Sequence, residues 1–172
     1  MPDPQTEAQP EAPEPTTGKQ AALAHYIGAA GTKLIESECF IDAKWALNEL
    51  TIEVIPEAIV AVCEAVKHDG YNFFEDLTAV DWYPTEPRFR LAYSILSMGL
   101  KKRIRLVARV SGDSPKLDSI TGVWPAANFY EREVFDLFGV HFAGHPRLTR
   151  IMMPDNWEGH PLRKDYPVEG YR

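Results

Sequence analysis

Apolar and polar residues alternate along two neighbouring stretches in the middle of the chain. The apolar positions of the two stretches are, in order, Phe89, Leu91, Tyr93 and Ile95, then Ile104, Leu106, Ala108 and Val110. A period of two residues is typical of strands that bury one face. A short link through Met98, Gly99 and Leu100 separates the stretches, so the pattern predicts a β-hairpin with one apolar face and one basic face.

Three other stretches repeat their apolar residues at helical spacing. The first helix is predicted on Leu23, Tyr26, Ile27 and Ala30 and stops at Gly31; the second begins at Pro56, buries Ile59, Val62, Cys63 and Val66, and closes at Gly70; the third begins at Pro125, turns Ala127, Tyr130, Val134, Leu137 and Phe138 inward, and ends at Gly139. Proline at the start and glycine at the end are the usual signals for such boundaries. Further strands are predicted over residues 34–40, 47–55 and 71–79, and Pro84 and Pro87 predict a loop.

Beyond Gly139 the regular pattern is lost. Glycines and prolines recur too often for a long helix or an inner strand, at Gly139, Gly144, Gly159, Gly170, Pro146, Pro154, Pro161 and Pro167. The segment is nevertheless rich in apolar side chains, namely Phe142, Leu148, Ile151, Met152, Met153, Trp157, Leu162 and Tyr166. Because a solvated tail does not carry apolar groups at this density, the segment needs a surface, part of which we expect on another protein.

These patterns predict an α/β (α+β) fold, with a mixed sheet, helices packed on it, and a long irregular, extended C-terminal tail. Residues 1–17 hold prolines and acids without a base and predict a disordered leader that is not a signal peptide. Residues 18–138 form the predicted domain and residues 139–172 a partner-docking tail. No stretch is apolar and long enough to predict a membrane span.

Composition narrows the candidate chemistry. The two cysteines, Cys39 and Cys63, form no CxxC pair and cannot hold a four-cysteine iron–sulfur cluster. Neither a Gly-rich phosphate loop nor a serine-nucleophile motif occurs. The segment between Pro87 and Asp113 is basic, but the net charge of −7 over the whole chain disfavours nucleic acid as a partner. A solvated sheet face, or one docked on an acidic protein, is the favoured interpretation.

Two sets of residues suggest catalysis and have simpler explanations. Glu131 and Glu133 lie about 200° apart on a helix, which sends their carboxylates to opposite sides rather than into one cleft. We expect Arg132 to pair with Asp136, and Glu131 or Glu133 to bind an arginine of the tail. A free-standing metal-dependent enzyme would use His141, His145 and His160 as ligands, but the glycines and Pro146 around them argue against a zinc helix.

The tail carries a family resemblance. The strings ERE-x-x-D-L-F-G-V, F-x-G-H-P and R-I-x-M-P-D-x-W-E-G-H-P-L-R-K-D-Y-P, between Glu131 and Pro167, resemble the signature of the 30-kilodalton subunit of NADH:quinone oxidoreductase (respiratory complex I), also called its C subunit. Weaker similarity lies in LTAVDWYP and VWPAANFYERE. Family members usually read HPDLRR where this chain has Arg147 and Thr149 in place of an acid and a base.

The resemblance implies a non-redox structural and assembly subunit in the peripheral arm of a proton-pumping complex, at the membrane on its cytoplasmic side. Flavin and iron–sulfur clusters would belong to partner subunits, and the quinone-site subunits would be its chief partners. Subunits of ferredoxin-, hydrogen- or deazaflavin-linked complexes share similar signatures and remain an alternative. The implied docking residues are Glu131, Arg132, Glu133, His145, Trp157, His160, Leu162, Arg163, Lys164, Asp165 and Tyr166.

The most specific expectation concerns the end of the tail. Between its two prolines the backbone is expected to be extended, so successive side chains would point to opposite sides. Leu162 and Tyr166, with Trp157, would then fill apolar pockets on the neighbouring quinone-site subunit. Arg163 would form a bidentate pair with a carboxylate there. The rival hypothesis is that the tail packs on its own domain.

Overall fold

The computed structural model describes residues 16–17, 22–23, 25–26 and 39–169. Its strands are β1 (Thr16–Thr17), β2 (Phe40–Ala46), β3 (Glu49–Val54), β4 (Phe73–Asp81), β5 (Phe89–Ser97), β6 (Lys102–Val110), β7 (Lys116–Asp118) and β8 (His141–Ala143). Its helices are α1 (Ile59–His68), which a 3-10 turn at Pro56–Ala58 precedes, and α2 (Ala127–Phe138).

Six strands form a single mixed sheet in the order β1-β2-β3-β6-β5-β4. Neighbouring strands are antiparallel except β3 and β6, which run parallel with Leu50 opposite Ile104. A smaller parallel pair, β7 and β8, lies outside this sheet. The mixed α+β fold predicted from the sequence is therefore confirmed.

One face of the sheet and both helices enclose a continuous apolar core. The buried positions of β5 are the alternating residues of the sequence pattern, and α1 contributes the predicted face at Ile59, Val62, Cys63 and Val66. On α2 the buried apolar positions are Ala127, Val134 and Phe138, with Tyr130 and Leu137 only partly buried. Apolar burial at about 25 cal/mol per Å² is the main stabilising contribution to such a core.

The predicted hairpin and the two later helices are confirmed within a few residues. The strand predicted over residues 47–55 is β3, and Leu47 and Asn48 instead form the tight turn from β2, with φ of 52° and 61°. Gly70 and Gly139 follow their helices with positive φ, as the stop signals predicted.

The strand predicted over residues 34–40 can be compared with the structure only at its last two residues, of which Phe40 is in a strand and Cys39 is not. Residues 34–38 lie outside the described part of the chain, whereas the strand observed there begins at Phe40 and continues to Ala46. A register shift between Phe40 and Asp42 places an extra residue in this strand. A bulge breaks the alternation of apolar and polar residues, so the sequence pattern did not reveal the strand.

The amino-terminal predictions fall largely outside the described residues. Of the first predicted helix, Leu23 is helical and buried, as is Ala22 before it. Tyr26 is buried but is not helical, and Ile27 and Ala30 lie outside the described residues. Of the predicted leader, residues 1–15 are not described. Its last two residues, Thr16 and Thr17, form β1 and pair with Trp45 and Lys44 of β2.

Candidate functional site

The carboxyl end of α2 is the point at which the tail meets the domain. An α-helix leaves its last four carbonyl groups without partners inside the helix. The Gly139 amide donates to the Phe135 carbonyl at 2.9 Å, and a φ of 73° at Gly139 allows this turn. The remaining three carbonyls, of residues 136–138, all accept hydrogen bonds from the tail.

The shortest bond to each carbonyl comes from a different tail residue, and the Asp136 carbonyl also accepts Arg150 Nη1 at 3.3 Å. His160 Nδ1 lies 2.8 Å from the Asp136 carbonyl, and because a carbonyl only accepts, this nitrogen carries the hydrogen. The Leu162 amide donates to the Leu137 carbonyl at 3.1 Å, and Arg163 Nε donates to the Phe138 carbonyl at 2.6 Å. The tail thus completes α2, and the cation of Arg163 lies at the negative end of the helix dipole.

The Asp136 side chain provides a second connection. This carboxylate is fully buried, and its Oδ2 accepts the backbone amides of Ile151, Met152 and Met153 at 2.9, 2.8 and 2.9 Å. Arg150 Nη1 donates to Oδ1 at 2.5 Å. Burial alone raises the pKa of Asp136, but the amides and Arg150 outweigh it and hold that pKa below its ordinary value.

Arg150 extends this network into the tail. Its Nη2 donates to the carbonyls of Trp157 and Gly159 at 3.0 and 3.1 Å. One guanidinium therefore joins the buried carboxylate of Asp136 to two backbone groups that lie seven and nine positions later in the chain. The planar fork of arginine suits such a multiple contact, which lysine cannot reproduce.

A third connection ties the end of the tail to the β4–β5 corner. Arg88 binds two carboxylates with two bonds each: Asp81 at 2.9 and 2.7 Å, and Asp165 at 2.9 and 2.6 Å. The Lys164 amide also donates to Asp81 at 2.8 Å. Burial by itself raises the pKa of Asp81, but hydrogen bonds from Arg88, Lys164 and Tyr83 lower it to about 2.

Glu131 points into the domain and not toward the tail. It is fully buried and accepts hydrogen bonds from Ser119 Oγ at 2.6 Å and the Ile120 amide at 2.7 Å. Burial raises the pKa of Glu131 to about 7 despite these two bonds. The expectation that Glu131 binds a tail arginine is wrong, because its carboxylate holds the loop before α2 instead.

The arginines near α2 also differ from the predicted pairing. Asp136 pairs with Arg150 and not with Arg132, whose Nε and Nη2 donate to the carbonyls of Thr149 and Arg150 at 3.0 and 2.9 Å. Glu133 is exposed. The i, i+4 spacing on a helix predicted that Arg132 would contact Asp136. In the structure the Asp136 side chain is buried, whereas the Arg132 side chain binds the backbone of the tail.

The end of the tail is not extended. Hydrogen bonds from the Arg163 amide to the His160 carbonyl and from the Tyr166 amide to the Arg163 carbonyl form two successive turns. Arg163 lies with its guanidinium 5.2 Å from the centre of the Phe89 ring and binds its own domain. The Tyr166 hydroxyl donates to the Glu158 carbonyl at 3.4 Å. The extended backbone expected between the prolines was therefore wrong.

Several large apolar side chains of the tail are exposed, and four of them lie between residues 151 and 162. We call them the apolar strip: Ile151, Met152, Trp157 and Leu162, which are 39%, 61%, 39% and 51% exposed. The tail segments that carry them are bound to α2, while the side chains face away from the core. Exposed apolar groups on a structured segment are typical of protein interaction sites.

Two of the three tail histidines, His145 and His160, form side-chain hydrogen bonds. Arg147 donates its amide to His145 Nδ1 at 3.0 Å, so His145 Nε2 carries hydrogen toward the Asn128 carbonyl at 3.2 Å. His141 is exposed, and burial lowers the pKa of His160. Within the described ranges, no group of three or more His, Cys, Asp and Glu side chains is placed to hold a metal ion.

Sequence reasoning found the tail but missed the residues that hold it. Asp136 and Asp81 occupy buried positions, and Arg88 was counted only as part of a basic segment. The available sequence signal was the position of Asp136, two residues after Val134, where the helix is expected to face the core. A carboxylate at such a position needs partners. Its partners lie 14 to 17 positions away, where no local period reveals them. Separately, no described helix has the length and hydropathy needed to cross a membrane.

Comparisons with known protein families and with known sequences identify the same family. The model of the respiratory-chain NADH dehydrogenase 30 Kd subunit matches residues 52–172. The C subunit of NADH-quinone oxidoreductase from Roseiflexus sp. (strain RS-1) is 47% identical over 124 residues, which are 70% of this chain and 71% of the relative. The protein of the same name from Geotalea uraniireducens (strain Rf4) is 46% identical over 131 residues, covering 76% and 80%.

Solved structures agree with the sequence relatives. A trypsin-resistant fragment of Nqo5 superposes with a TM-score of 0.56 at 33% identity, covering 59% of this chain and 84% of the fragment. A chain of the membrane-bound sulfane sulfur reductase, an archaeal respiratory membrane complex, superposes with a TM-score of 0.69 at 26% identity, covering 80% and 83%. The chain described here belongs to the family of the 30-kilodalton subunit of respiratory-chain NADH dehydrogenase.

Proposed function

We propose that this protein is a structural and assembly subunit in the peripheral arm of a proton-pumping NADH:quinone oxidoreductase, on the cytoplasmic side of the membrane. Electrons would pass from NADH through flavin and iron–sulfur clusters of partner subunits to a quinone, while this chain carries no redox centre. The observation that carries the proposal is the apolar strip, held in place by the completed end of α2 on a chain of this family.

The strip would dock on the quinone-site subunits. Its backbone is fixed by Asp136 and Arg150 before any partner binds, so little conformational entropy remains to be lost on association. Of the residues predicted to dock, the side chains of Trp157, Leu162 and Lys164 are exposed. The side chains of Asp165, Arg163, His160 and Glu131 bind within this chain. We assign direct docking to the first group and positioning of the tail to the second.

Substitution of the strip tests this assignment. Trp157→Ser with Leu162→Ser should leave the melting temperature of the isolated chain nearly unchanged, because both side chains are already partly in water. Affinity purification from the native membrane should then recover the variant without the other subunits. The control is Leu47→Ser, an 85% exposed residue in the β2–β3 turn, which should co-purify normally. Normal co-purification of the double variant would contradict the docking role.

A second candidate is the equivalent subunit of a related complex with another electron donor. The structural similarity to the sulfane sulfur reductase chain, with a TM-score of 0.69, supports this second candidate. The same purification distinguishes the two, because only the first requires a co-purifying subunit that oxidises NADH. The free-standing metal enzyme is tested by elemental analysis of the purified chain, where one stoichiometric zinc would support it.

A further inference from the structure

The sheet face opposite the core carries charged side chains and no described helix covers it. We call it the open face and define it by Thr51, Thr78, Arg90, Ser94 and Arg105. The arginines on and beside it have carboxylate partners on other strands of the sheet: Arg103 with Glu75 at 2.7 Å, Arg105 with Glu49 at 2.7 Å and Arg109 with Glu53 at 2.8 Å. The basic face predicted for the hairpin is thus largely neutralised by β3 and β4.

Arg90 is the exception. Within the described part of the chain its guanidinium has no carboxylate partner, and its Nε is buried without an acceptor. Across the β5–β6 ladder it lies directly opposite Arg109. Like charges at opposite positions repel, and Glu53 forms its ion pair with Arg109 and not with Arg90. The pKa of Arg90 is lowered, mainly by burial and secondly by the charge of Arg109. Both causes disfavour the charged guanidinium.

A depression beside Arg90 gives access to this charge. Its volume is about 310 Å³, and its lining includes Asp76, Thr78, Val80, Arg90, Ser94 and Arg105. Two arginines and two hydroxyls offer donors there, while Asp76 contributes one negative charge. An arginine fork matches a carboxylate with two parallel hydrogen bonds.

We propose that the open face is a second docking surface, distinct from the apolar strip, on which Arg90 binds an aspartate or glutamate side chain of another protein subunit. The charges on the open face favour a carboxylate over a phosphate as the group that Arg90 binds. A singly charged carboxylate balances the one guanidinium that lacks a partner, whereas Asp76 in the same depression repels a doubly charged phosphate. The sheet around the depression supplies the flat area that a protein surface needs and a free anion does not.

Cross-linking in the native complex tests the contact directly. Arg90→Lys keeps the charge and introduces an amine, which a zero-length carbodiimide joins to a carboxylate within contact distance. We expect a cross-linked peptide that contains residue 90 and an aspartate or glutamate of another subunit. The wild-type protein, in which position 90 cannot react, is the control. Cross-links from residue 90 only to Asp76 or Glu53 of the same chain would overturn the proposal.

Comparison of the free chain with the complex provides an independent test. Arg90→Met removes the charge that lacks a partner, so the isolated chain should melt at the same or a higher temperature. Its recovery with the complex after a salt wash should fall about tenfold, because the partner carboxylate loses its pair. Arg103→Met, which removes an exposed and internally paired charge, should be recovered like wild type.

Three results would refute the proposal in different ways. Undiminished recovery of Arg90→Met would show that the contact is absent. A lower melting temperature of the isolated variant would show that Arg90 serves its own domain. Stabilisation of the isolated wild-type chain by millimolar inorganic phosphate, lost in Arg90→Met, would identify a free anion as the occupant. None of these outcomes depends on the apolar strip, so failure of the proposed function is recognised separately through the Trp157 and Leu162 variants.

Discussion

Two buried carboxylates on α2 show that hydrogen-bond donors, and not burial alone, set the charge state of a residue. Glu131 and Asp136 are both fully buried carboxylates on α2, yet their pKa values shift in opposite directions. Glu131 accepts two hydrogen bonds and is dominated by desolvation, whereas Asp136 accepts three amides and an arginine. The number of donors around a buried carboxylate thus decides whether its charged form is stable.

The raised pKa of Glu131 predicts a pH-dependent stability. Its ionised form is disfavoured in the folded state, because the pKa rises from 4.5 to about 7. The free energy of unfolding should therefore fall as pH rises from about 4.5 to 7, by roughly 3 kcal/mol, and stay level above that. Glu131→Gln should abolish this slope, as measured by urea unfolding at pH 5 and pH 8. An unchanged slope would show that another group titrates in this range.

Gly139 is constrained twice, by its backbone and by its neighbours. A Cβ there would lie 2.5 Å from the His160 ring and 2.6 Å from Arg163 Nη2, at a φ of 73°. Gly139→Ala should lower the free energy of unfolding by about 2 kcal/mol or more, in urea denaturation. Gly144→Ala is the matched control, since Gly144 has a φ of 79° and open space around it. Gly144→Ala should lower the free energy of unfolding only by the strain of a positive φ. Equal losses for the two variants would mean that the contacts with His160 and Arg163 add nothing at Gly139.

At the scale of elements, the tail acts as the missing last turn of α2. Its donors occupy the carbonyls that a helix end otherwise leaves to solvent. The same segment supplies three amides to Asp136. Helix and tail are therefore one cooperative unit, although only the helix shows a clear period in the sequence.

Loss of one buried charge should loosen this unit. Asp136→Asn removes the ion pair with Arg150 and weakens the acceptor for three amides, so we expect a loss of about 3 kcal/mol. Hydrogen exchange should accelerate at the amides of residues 151–153 well before global unfolding. Asp155→Asn, an exposed position on the same segment, should leave exchange unchanged. Slow exchange in the Asp136 variant would mean that other contacts hold the segment.

The sequence predicts those elements whose signal is local. The hairpin, α1 and α2 follow from apolar periods and from stop signals at Gly70 and Gly139. The strand Phe40–Ala46 escapes because a bulge interrupts its alternation. The bond from Lys164 to Asp81 escapes because it spans 83 positions. A contact between residues so far apart in the sequence produces no local pattern around either residue. The sequence therefore predicted the tail but not the contacts that attach it to the domain.

At the scale of the whole molecule, the tail joins α2 to the β4–β5 corner. A chain that ends at Pro154 loses His160, Arg163 and Asp165 with their bonds to the domain. We expect it to fold, because the core lies within earlier residues, but to melt about 5 to 10 °C lower.

Calorimetry of the isolated chains decides between a tail that packs on its own domain and one that only docks on a partner. The control ends at Pro167, which retains every one of these bonds and should melt like the full chain. An equal melting temperature for the chain that ends at Pro154 would favour a tail that contributes nothing until its partner binds.

The pairing of Arg88 with Asp165 also imposes an order on biosynthesis. The two residues are 77 positions apart, so the β4–β5 corner leaves the ribosome well before its second carboxylate exists. Until residue 165 has been added, Arg88 has only the carboxylate of Asp81. The last carbonyls of α2 likewise lack the donors of His160, Leu162 and Arg163 until residues 160–163 have been added. An interrupted product would present these groups to water and open more readily to proteases. We therefore expect resistance to proteolysis to rise when the tail segment up to residue 165 has been added.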